Sequence, residues 1–462
     1  MIMDDVTYDL VVLGIGSGGE VAAGEVARAG GRVAAVDSGL VGGECPYLAC
    51  VPSKALLMAA REHLLVGGDH AAAYAKAVGR RDEAASHRDD SGAVKGLQGD
   101  GVEVIRGRGT LAGRTGTDLI VEVAGRRLRA RAVVVGTGSE AVMPPIDGLD
   151  QVPTWTSDQA LSSPELPARL AVLGGGAVGC ELGQVYASYG VEVVLLEAGD
   201  SLLGNEPPFV GERLAASMRE LGVDVRLGVT VTGAEPHGAG LRLTVEGGDP
   251  VVADRLLVAG GRRPRSADLG LAALGVSQDD AVPVDARCRV LGADGEPVPG
   301  LFAVGDVTGI APYTHTATYQ ARIVAAHLRG HGRDADYSGV PRAVYTDPAV
   351  FGVGELADDA RARGVQVLVE GIDLADTGRG FLAGARGGRV ELVADASTGR
   401  LIGASILGPD ADSWGGELAL AVRAGLDVHL LADNVHAFPA WSESIQPLAA
   451  ALAAGVDSLH GT

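Results

Sequence analysis

One pattern, present twice, constrains this chain more than anything else in it. Tyr8 to Leu13 is a short apolar run, Gly14-Ile15-Gly16-Ser17-Gly18-Gly19 turns it, a helical stretch runs to about Ala29, and the apolar strand Arg32 to Val36 ends at Asp37. Leu170 to Leu173, Gly174-Gly175-Gly176-Ala177-Val178-Gly179, a helical stretch to about Ser188 and Val191 to Leu196 repeat that order and end at Glu197. Each carboxylate stands 23 residues after the first glycine of its turn. Glycine is so abundant, 70 of 462 residues, that a lone GxGxxG match would arise by chance. Two gapless copies of the whole unit would not. Its parts share one chemistry: the glycines let backbone approach a pyrophosphate, the helix N-terminus faces that charge, and the carboxylate accepts hydrogen bonds from a ribose. The prediction is an α/β chain with two Rossmann-like dinucleotide-binding domains. Two such sites in one chain imply an electron relay between two cofactors.

Composition bounds the remainder. The length exceeds one ordinary core, so two to four domains are expected. At 47% hydrophobic and 21% charged residues the chain is globular, which excludes a disordered or fibrous protein. Its net charge of −21, offset by no Lys/Arg cluster, predicts neither nucleic acid nor an anionic membrane surface as partner. The longest apolar run, Leu448 to Val456, is too short to span a bilayer, and the N-terminus is acidic where a signal peptide would be basic. A soluble, cytoplasmic protein is expected. Four cysteines make no disulfide framework. Cys45 and Cys50 stand out as a pair within GGECPYLACVPSK, whereas Cys180 and Cys288 read as packing residues. Arg61 to Gly101 reads as helices, and the short strands after it end in Gly136-Thr137-Gly138-Ser139. Pro144 and Pro145 mark a boundary near residue 148, and from about Val340 alternating strands and one long helix predict a separate C-terminal α+β domain.

These residues carry a resemblance along nearly the whole length. Gly14–Gly19 with Asp37, GGECPYLACVPSK at 42–54, GTGS at 136–139, Gly174–Gly179 with Glu197, GGRRP at 260–264, AVGD at 303–306 and Thr346-Asp347-Pro348 occur in one order. In that order they resemble the flavoprotein disulfide reductases of the dihydrolipoamide dehydrogenase, glutathione reductase and mercuric reductase group. The resemblance implies four parts: an FAD-binding domain at 1–147, an NAD-binding domain at 148–264, a central domain at 265–336 completing the FAD site, and a dimerisation domain at 337–462 that makes a homodimer. It implies that Gly14, Gly16, Gly19, Gly43 and Asp37 bind FAD, with Lys54, Thr137, Gly138, Ser139 and Asp306 on its flavin and ribityl parts. Gly174, Gly176, Gly179, Glu197 and Gly261 would hold the nicotinamide dinucleotide, and Glu181 would pair with Lys54. NADH is expected over NADPH, because Glu197 repels a 2′-phosphate and Ala198 to Leu203 contain no arginine to receive one.

The dithiol follows the same resemblance: Cys50 exchanges electrons with the flavin, and Cys45 faces the substrate and attacks it. A CxxxxC pair on the first turn of a helix closes a strained, reducible disulfide suited to a relay. The chain departs from the pattern at its C-terminal signature, which reads His436-Ala437-Phe438-Pro439-Ala440-Trp441-Ser442-Glu443. Phe438 takes the place of the acid–base histidine that reaches the other subunit's cysteines, while Glu443, which would orient that histidine, remains. A phenyl ring takes no proton, so the usual thiol activation is lost. The readings left open are a dry, proton-poor site as in 2-oxopropyl-coenzyme M reductase/carboxylase, a small-molecule electron acceptor needing no proton relay (a quinone or metal ion), and His436 or water as a displaced base in a dihydrolipoamide dehydrogenase-type reductase. Mercury is disfavoured, because the C-terminal cysteine pair of mercuric reductases is absent. An FAD-binding redox sensor without turnover is the alternative of a different class. The Phe438–Pro439 bond is expected to be cis.

Overall fold

The repeated unit folds as its spacing predicts. In a computed structural model describing residues 2–278 and 280–461, strand β1 (Ile2–Leu13) leads into Gly14, helix α1 (Ser17–Arg28) follows the turn, and β2 (Val33–Asp37) returns parallel to β1 with Val33 opposite Leu10. The second copy is strand Arg169–Leu173, helix Ala177–Ser188 and strand Glu192–Leu196, parallel again, with Val193 opposite Leu170. Gly14 and Gly174 both sit in the left-handed region, at φ +92 and +110. A Cβ on either would run into the carbonyl oxygen of a neighbouring loop, Gly136 or Ala259.

The chain forms two compact units. The first comprises residues 2–55, 79–142 and 261–335. Its sheet runs Arg289–Leu291, Pro297–Ala303, Arg126–Val135, β1, β2, Val102–Arg106, and every neighbouring pair from Pro297–Ala303 onward is parallel. Parallel strands are covered on both faces and read as continuous apolar runs. β1 obeys this: Leu10 and Val12 pack with Ile323 and Val324 of the helix Thr314–Leu328, while Val11 and Leu13 pack on the other face with Leu119, Val121 and Leu128.

The second unit comprises residues 56–78, 143–260 and 336–461. It holds a parallel sheet in the order Asp224–Arg226, Glu192–Leu196, Arg169–Leu173, Arg255–Val258, Thr154–Trp155. It also holds an antiparallel sheet in the order Arg342–Val344, Ala349–Gly354, Arg400–Gly408, Arg389–Asp395, Val367–Asp373. The C-terminal helix Ile445–His460 lays Leu448, Leu452 and Val456, four apart, into one core with Leu392 and Ile406 of that sheet. This is the α/β architecture with an α+β C-terminal part that the sequence predicts. Among the described residues no helix is long and apolar enough to cross a membrane.

One buried ion pair within the second unit generates a prediction. Glu206, only 7% exposed, accepts from Arg342 Nε at 2.7 Å and Nη2 at 3.1 Å, and Arg342 Nη1 donates to the Gly354 carbonyl at 3.0 Å. Removing the cation strands a buried carboxylate. Arg342→Ala should therefore lower unfolding free energy by about 3 kcal/mol, read from denaturation midpoints, and Arg342→Lys should recover little because an ammonium cannot make the forked contact.

Candidate active site

The first site is built where β2 ends. Asp37 Oδ2 accepts from the Ile15 amide at 2.6 Å and Oδ1 from the Gly39 amide at 2.7 Å, which closes the glycine turn from the strand beside it. The turn borders a cavity of about 910 Å³ within the first unit. Gly14, Gly16, Asp37, Gly43, Cys45, Thr137, Gly138, Ser139 and Asp306 all line it. Gly19 lies instead inside α1, beneath the Gly14 carbonyl. The N-cap of α1, Gly16, makes no side-chain cap, and a Cβ there would meet nothing closer than Gly43 Cα at 4.0 Å. The first amides of α1 are thus left for an anion, and the cavity has the size of a dinucleotide cofactor site. Ser139 Oγ donates to Asp306 Oδ2 at 2.6 Å. Gly261, at φ +116, belongs to this unit, where its carbonyl accepts from the Val142 amide at 3.0 Å.

The dithiol corrects one expectation. Cys45 and Cys50 do not share the first turn of one helix: Cys45 lies in the short helix α2 (Glu44–Tyr47), and Cys50 opens a second helix, α3 (Cys50–Val66). Pro52 is the reason. A continuous helix would need an amide from residue 52 to Leu48, which proline lacks, and its ring would press on the Leu48 carbonyl. A helix restarting at Cys50 places Pro52 in the first turn, where no amide bond is needed. The amides of Leu48 and Ala49 both return to the Glu44 carbonyl, closing α2.

Both cysteines are free thiols, partly buried, and hydrogen-bonded to each other. The bond from Cys45 lowers the Cys50 pKa to about 6, against the opposing effect of burial and with help from Thr314 and Lys54. The same bond, with burial, drives the Cys45 thiol well above the ordinary range. Thr314 Oγ1 lies 3.5 Å from Cys50 Sγ at the start of its helix. The pair is therefore asymmetric: Cys50 is the thiolate and Cys45 keeps its proton.

The second fingerprint, in the second unit, is closed like the first. Glu197 accepts from the Gly175 amide at 2.5 Å and the Gly199 amide at 2.7 Å, and the N-cap Gly176 again makes no side-chain cap. Gly179 packs beneath the Gly174 carbonyl. One turn along the helix, Glu181 is 6% exposed and accepts from the Tyr345 amide at 2.9 Å, while Gln184 exchanges two hydrogen bonds with Asp347 backbone. Burial raises the Cys180 pKa, and its Sγ donates to the Gly175 carbonyl at 3.3 Å, as an inert packing thiol does.

Residues 8–321 match the pyridine nucleotide-disulphide oxidoreductase family, and residues 340–449 match its dimerisation domain. The chain belongs to that family. Members are NAD(P)H-dependent flavoprotein disulfide oxidoreductases, and this chain is an enzyme of that class whose dimerisation domain supports a homodimer. It is 35% identical to the dihydrolipoyl dehydrogenase of Thermus scotoductus, over 96% of this chain and 97% of that one. Among solved structures it is similar to a Cu(II) complex of the HOCl-induced flavoprotein disulfide reductase RclA from Escherichia coli, with a TM-score of 0.84 at 28% identity over 96% of this chain and 99% of that one. LpdA from Mycobacterium tuberculosis aligns with a TM-score of 0.83 at 26% identity, over 98% of this chain and 100% of that one.

The C-terminal signature of this oxidoreductase is tied to the first turn of the helix Gly378–Ala383, which Thr377 caps. Phe438 is 79% exposed in the single chain, and its ring edge lies over Gly378, where a Cβ would fall 2.7 Å from the ring and 3.2 Å from Glu443 Oε1. Glu443 is held by two amides, Arg379 to Oε1 at 3.0 Å and Ala440 to Oε2 at 3.2 Å. The Phe438–Pro439 bond is cis, as expected. His436, its side chain 6% exposed, points Nε2 at both Glu417 oxygens, 3.0 and 3.2 Å away, and its Nδ1 is buried without a partner among the described residues. Sequence reading missed Thr314 altogether, and also missed Glu44, Arg262 and Arg265 around Cys45. Only the Pro46 and Pro52 punctuation of the motif hinted that two helices meet there.

The asymmetry of the pair sets its pH behaviour. A thiol ionises above its pKa, so alkylation of Cys50 by iodoacetamide in the reduced protein should rise through about pH 6. Cys45→Ala removes the main donor and should move that midpoint up toward the ordinary thiol value of about 8.5. Cys45→Ser, whose hydroxyl still donates, should move it less. A low midpoint that survives in Cys50→Ser but not in Cys45→Ala would reverse the assignment.

Proposed function

We propose that this enzyme carries electrons from NADH through FAD to the Cys45–Cys50 pair and on to an acceptor reduced without a proton from the C-terminal segment, a thiophilic redox metal ion such as Cu(II). The observation that carries this reading is Phe438, lying over Gly378 beside Glu443 in the place of the acid–base histidine. A phenyl ring neither takes nor gives a proton. His436 is a poor substitute, since its Nε2 is engaged by Glu417. The RclA structure, a Cu(II) complex of a protein similar along the whole chain, supports a metal ion over the other acceptors.

Residue roles follow the motifs, within the four-part layout of domains at 1–147, 148–264, 265–336 and 337–462. Gly14, Gly16, Gly19, Gly43 and Asp37 hold the ADP half of FAD; Thr137, Gly138, Ser139, Asp306 and Lys54 serve its ribityl and flavin end. Gly174, Gly176, Gly179, Glu197 and Gly261 hold NADH, with Glu181 on the same helix as the fingerprint. FAD, held by these residues, would supply the two-electron chemistry that links the nicotinamide to the disulfide, which receives a hydride equivalent. That equivalent leaves one thiolate and one thiol, matching the charge states of Cys50 and Cys45. When the pair closes again to the disulfide, two Cu(II) ions each take one electron and the Cys45 proton goes to solvent. The net reaction converts NADH and two Cu(II) to NAD⁺, two Cu(I) and one proton.

NADH should be preferred over NADPH in kcat/KM, and Glu197→Ala should narrow the preference, because the carboxylate that repels a 2′-phosphate is gone. A wild-type preference for NADPH would refute the assignment of Glu197.

The acceptor is tested by anaerobic NADH oxidation with Cu(II), a quinone, lipoamide and glutathione disulfide. Cu(II) should turn over in a Cys45-dependent way and lipoamide hardly at all. Lipoamide turnover at ordinary dehydrogenase rates would sink the reading, and quinone turnover without Cu(II) turnover would replace the metal ion. Absence of turnover with any acceptor would support the redox sensor. Phe438→His, beside a Glu443 able to orient an imidazole, should raise disulfide reduction by about 10² with a pH dependence near 6.5.

A further inference from the structure

The short helix α2 carries Cys45 but has little with which to hold itself. It is four residues long, and its N-cap Gly43 sits at φ +76 with no capping side chain. A single turn is not stable alone. The break at Leu48 and Ala49 separates it from α3. Tyr47 is buried at its C-terminal end, and at the cysteine end what grips it from outside is Glu44, the residue before Cys45. Its Oε2 accepts from Arg262 Nη2 at 2.5 Å and its Oε1 from Arg265 Nη2 at 2.9 Å. Arg262 is fixed in turn: Nε donates to Ser139 Oγ at 2.8 Å and Nη2 to the Ser139 carbonyl at 2.9 Å, and its strand Arg262–Pro264 pairs with Ser139–Ala141. With the Ser139 bond to Asp306, a continuous run of contacts reaches from Asp306 to the residue beside Cys45. The other charges close by are Glu140, on Arg263 at 2.8 Å, and Lys54, one turn beyond Cys50.

We propose that Glu44, held by Arg262 and Arg265, is the positioning residue that sets the Cys45 thiol against Cys50. The inference rests on the dithiol reading above. A hydrogen bond is directional and short-ranged, so a small rotation of α2 weakens it. With Tyr47 buried at one end of α2, the Glu44 side chain is the polar contact that resists this rotation at the cysteine end while keeping clear of the sulfur chemistry.

The test is the pH profile of Cys50 alkylation in the reduced, FAD-loaded enzyme, read by peptide mass. Glu44→Ala and Arg262→Ala should each raise the midpoint by about one unit, the weakening of one hydrogen bond to a thiolate. In a Cys45→Ala background, Glu44→Ala should move it no further, because both changes act through one contact. Glu44→Gln, keeping one acceptor oxygen, should fall between wild type and Glu44→Ala, and it serves with Arg262→Lys if the alanine variants fail to fold. A wild-type midpoint in folded Glu44→Ala overturns the proposal. So does an upward shift of full size in the Cys45→Ala background, which would mean that Glu44 acts on Cys50 by a route other than Cys45; a bare charge would act the opposite way, since losing an anion favours the thiolate. If Cys45→Ala alone leaves the midpoint in place, the dithiol reading fails instead, and the two failures are told apart.

Discussion

Two carboxylates, each accepting two backbone amides, hold both nucleotide turns in shape. Asp37 takes the amides of Ile15 and Gly39, and Glu197 takes those of Gly175 and Gly199. In both copies the partners are the second residue of the glycine turn and the residue two beyond the carboxylate. The side chains differ by a methylene, yet the closure is the same. It satisfies amides that a tight turn would otherwise bury unpaired, while the N-terminus of the following helix stays uncapped. A carboxylate can do this only from the end of the adjacent parallel strand, so strand, helix and return strand must have a fixed combined length. The common interval of 23 residues expresses that requirement.

The dithiol depends on a second constraint, the proline that forbids one helix. Because α3 can begin only at Cys50, the two sulfurs belong to separate helices, and their relation is set by tertiary contacts. That makes the pair tunable. In the described arrangement Cys45 donates and Cys50 accepts; Thr314 and Lys54 favour negative charge on either sulfur, and the mutual bond decides which of the two carries it. A single helix carrying both cysteines in its first turn would expose both to the same terminal dipole and would separate their ionisations less.

How much was legible in the sequence follows from distance along the chain. The fingerprints were readable because every partner in them lies within 23 residues, and their strands and helices obey local periodicity. The cysteine pair is readable as a pair, whereas the break between its helices is signalled by Pro52 alone and by no periodicity. Glu44 escaped notice because its partners lie 218 and 221 residues away, and Thr314 because it is 264 residues from Cys50. No pattern of spacing encodes such contacts; Arg262 reaches Glu44 only once Arg262–Pro264 pairs antiparallel with Ser139–Ala141 in a two-stranded ribbon. The position of His436 two residues before Phe438 makes it a candidate base in the sequence, and only the fold reveals that Glu417 already holds its ring.

The loss of the imidazole and the charge states of the thiols bear on each other. Only a thiolate attacks a disulfide, and Cys45, the sulfur that the resemblance turns toward substrate, holds its proton tightly because it donates to Cys50. The family pattern resolves this with a histidine that takes the proton as Cys45 attacks. With Phe438 in that place, something in the acceptor itself has to displace the proton. A disulfide cannot, since its sulfurs carry no charge to offer the thiol. A thiophilic metal ion can, because a coordinating thiol is deprotonated outright by the charge of the metal. On the function proposed above, a site without a base is therefore not an impaired disulfide reductase by necessity; it would discriminate between acceptors by which of them brings its own positive charge.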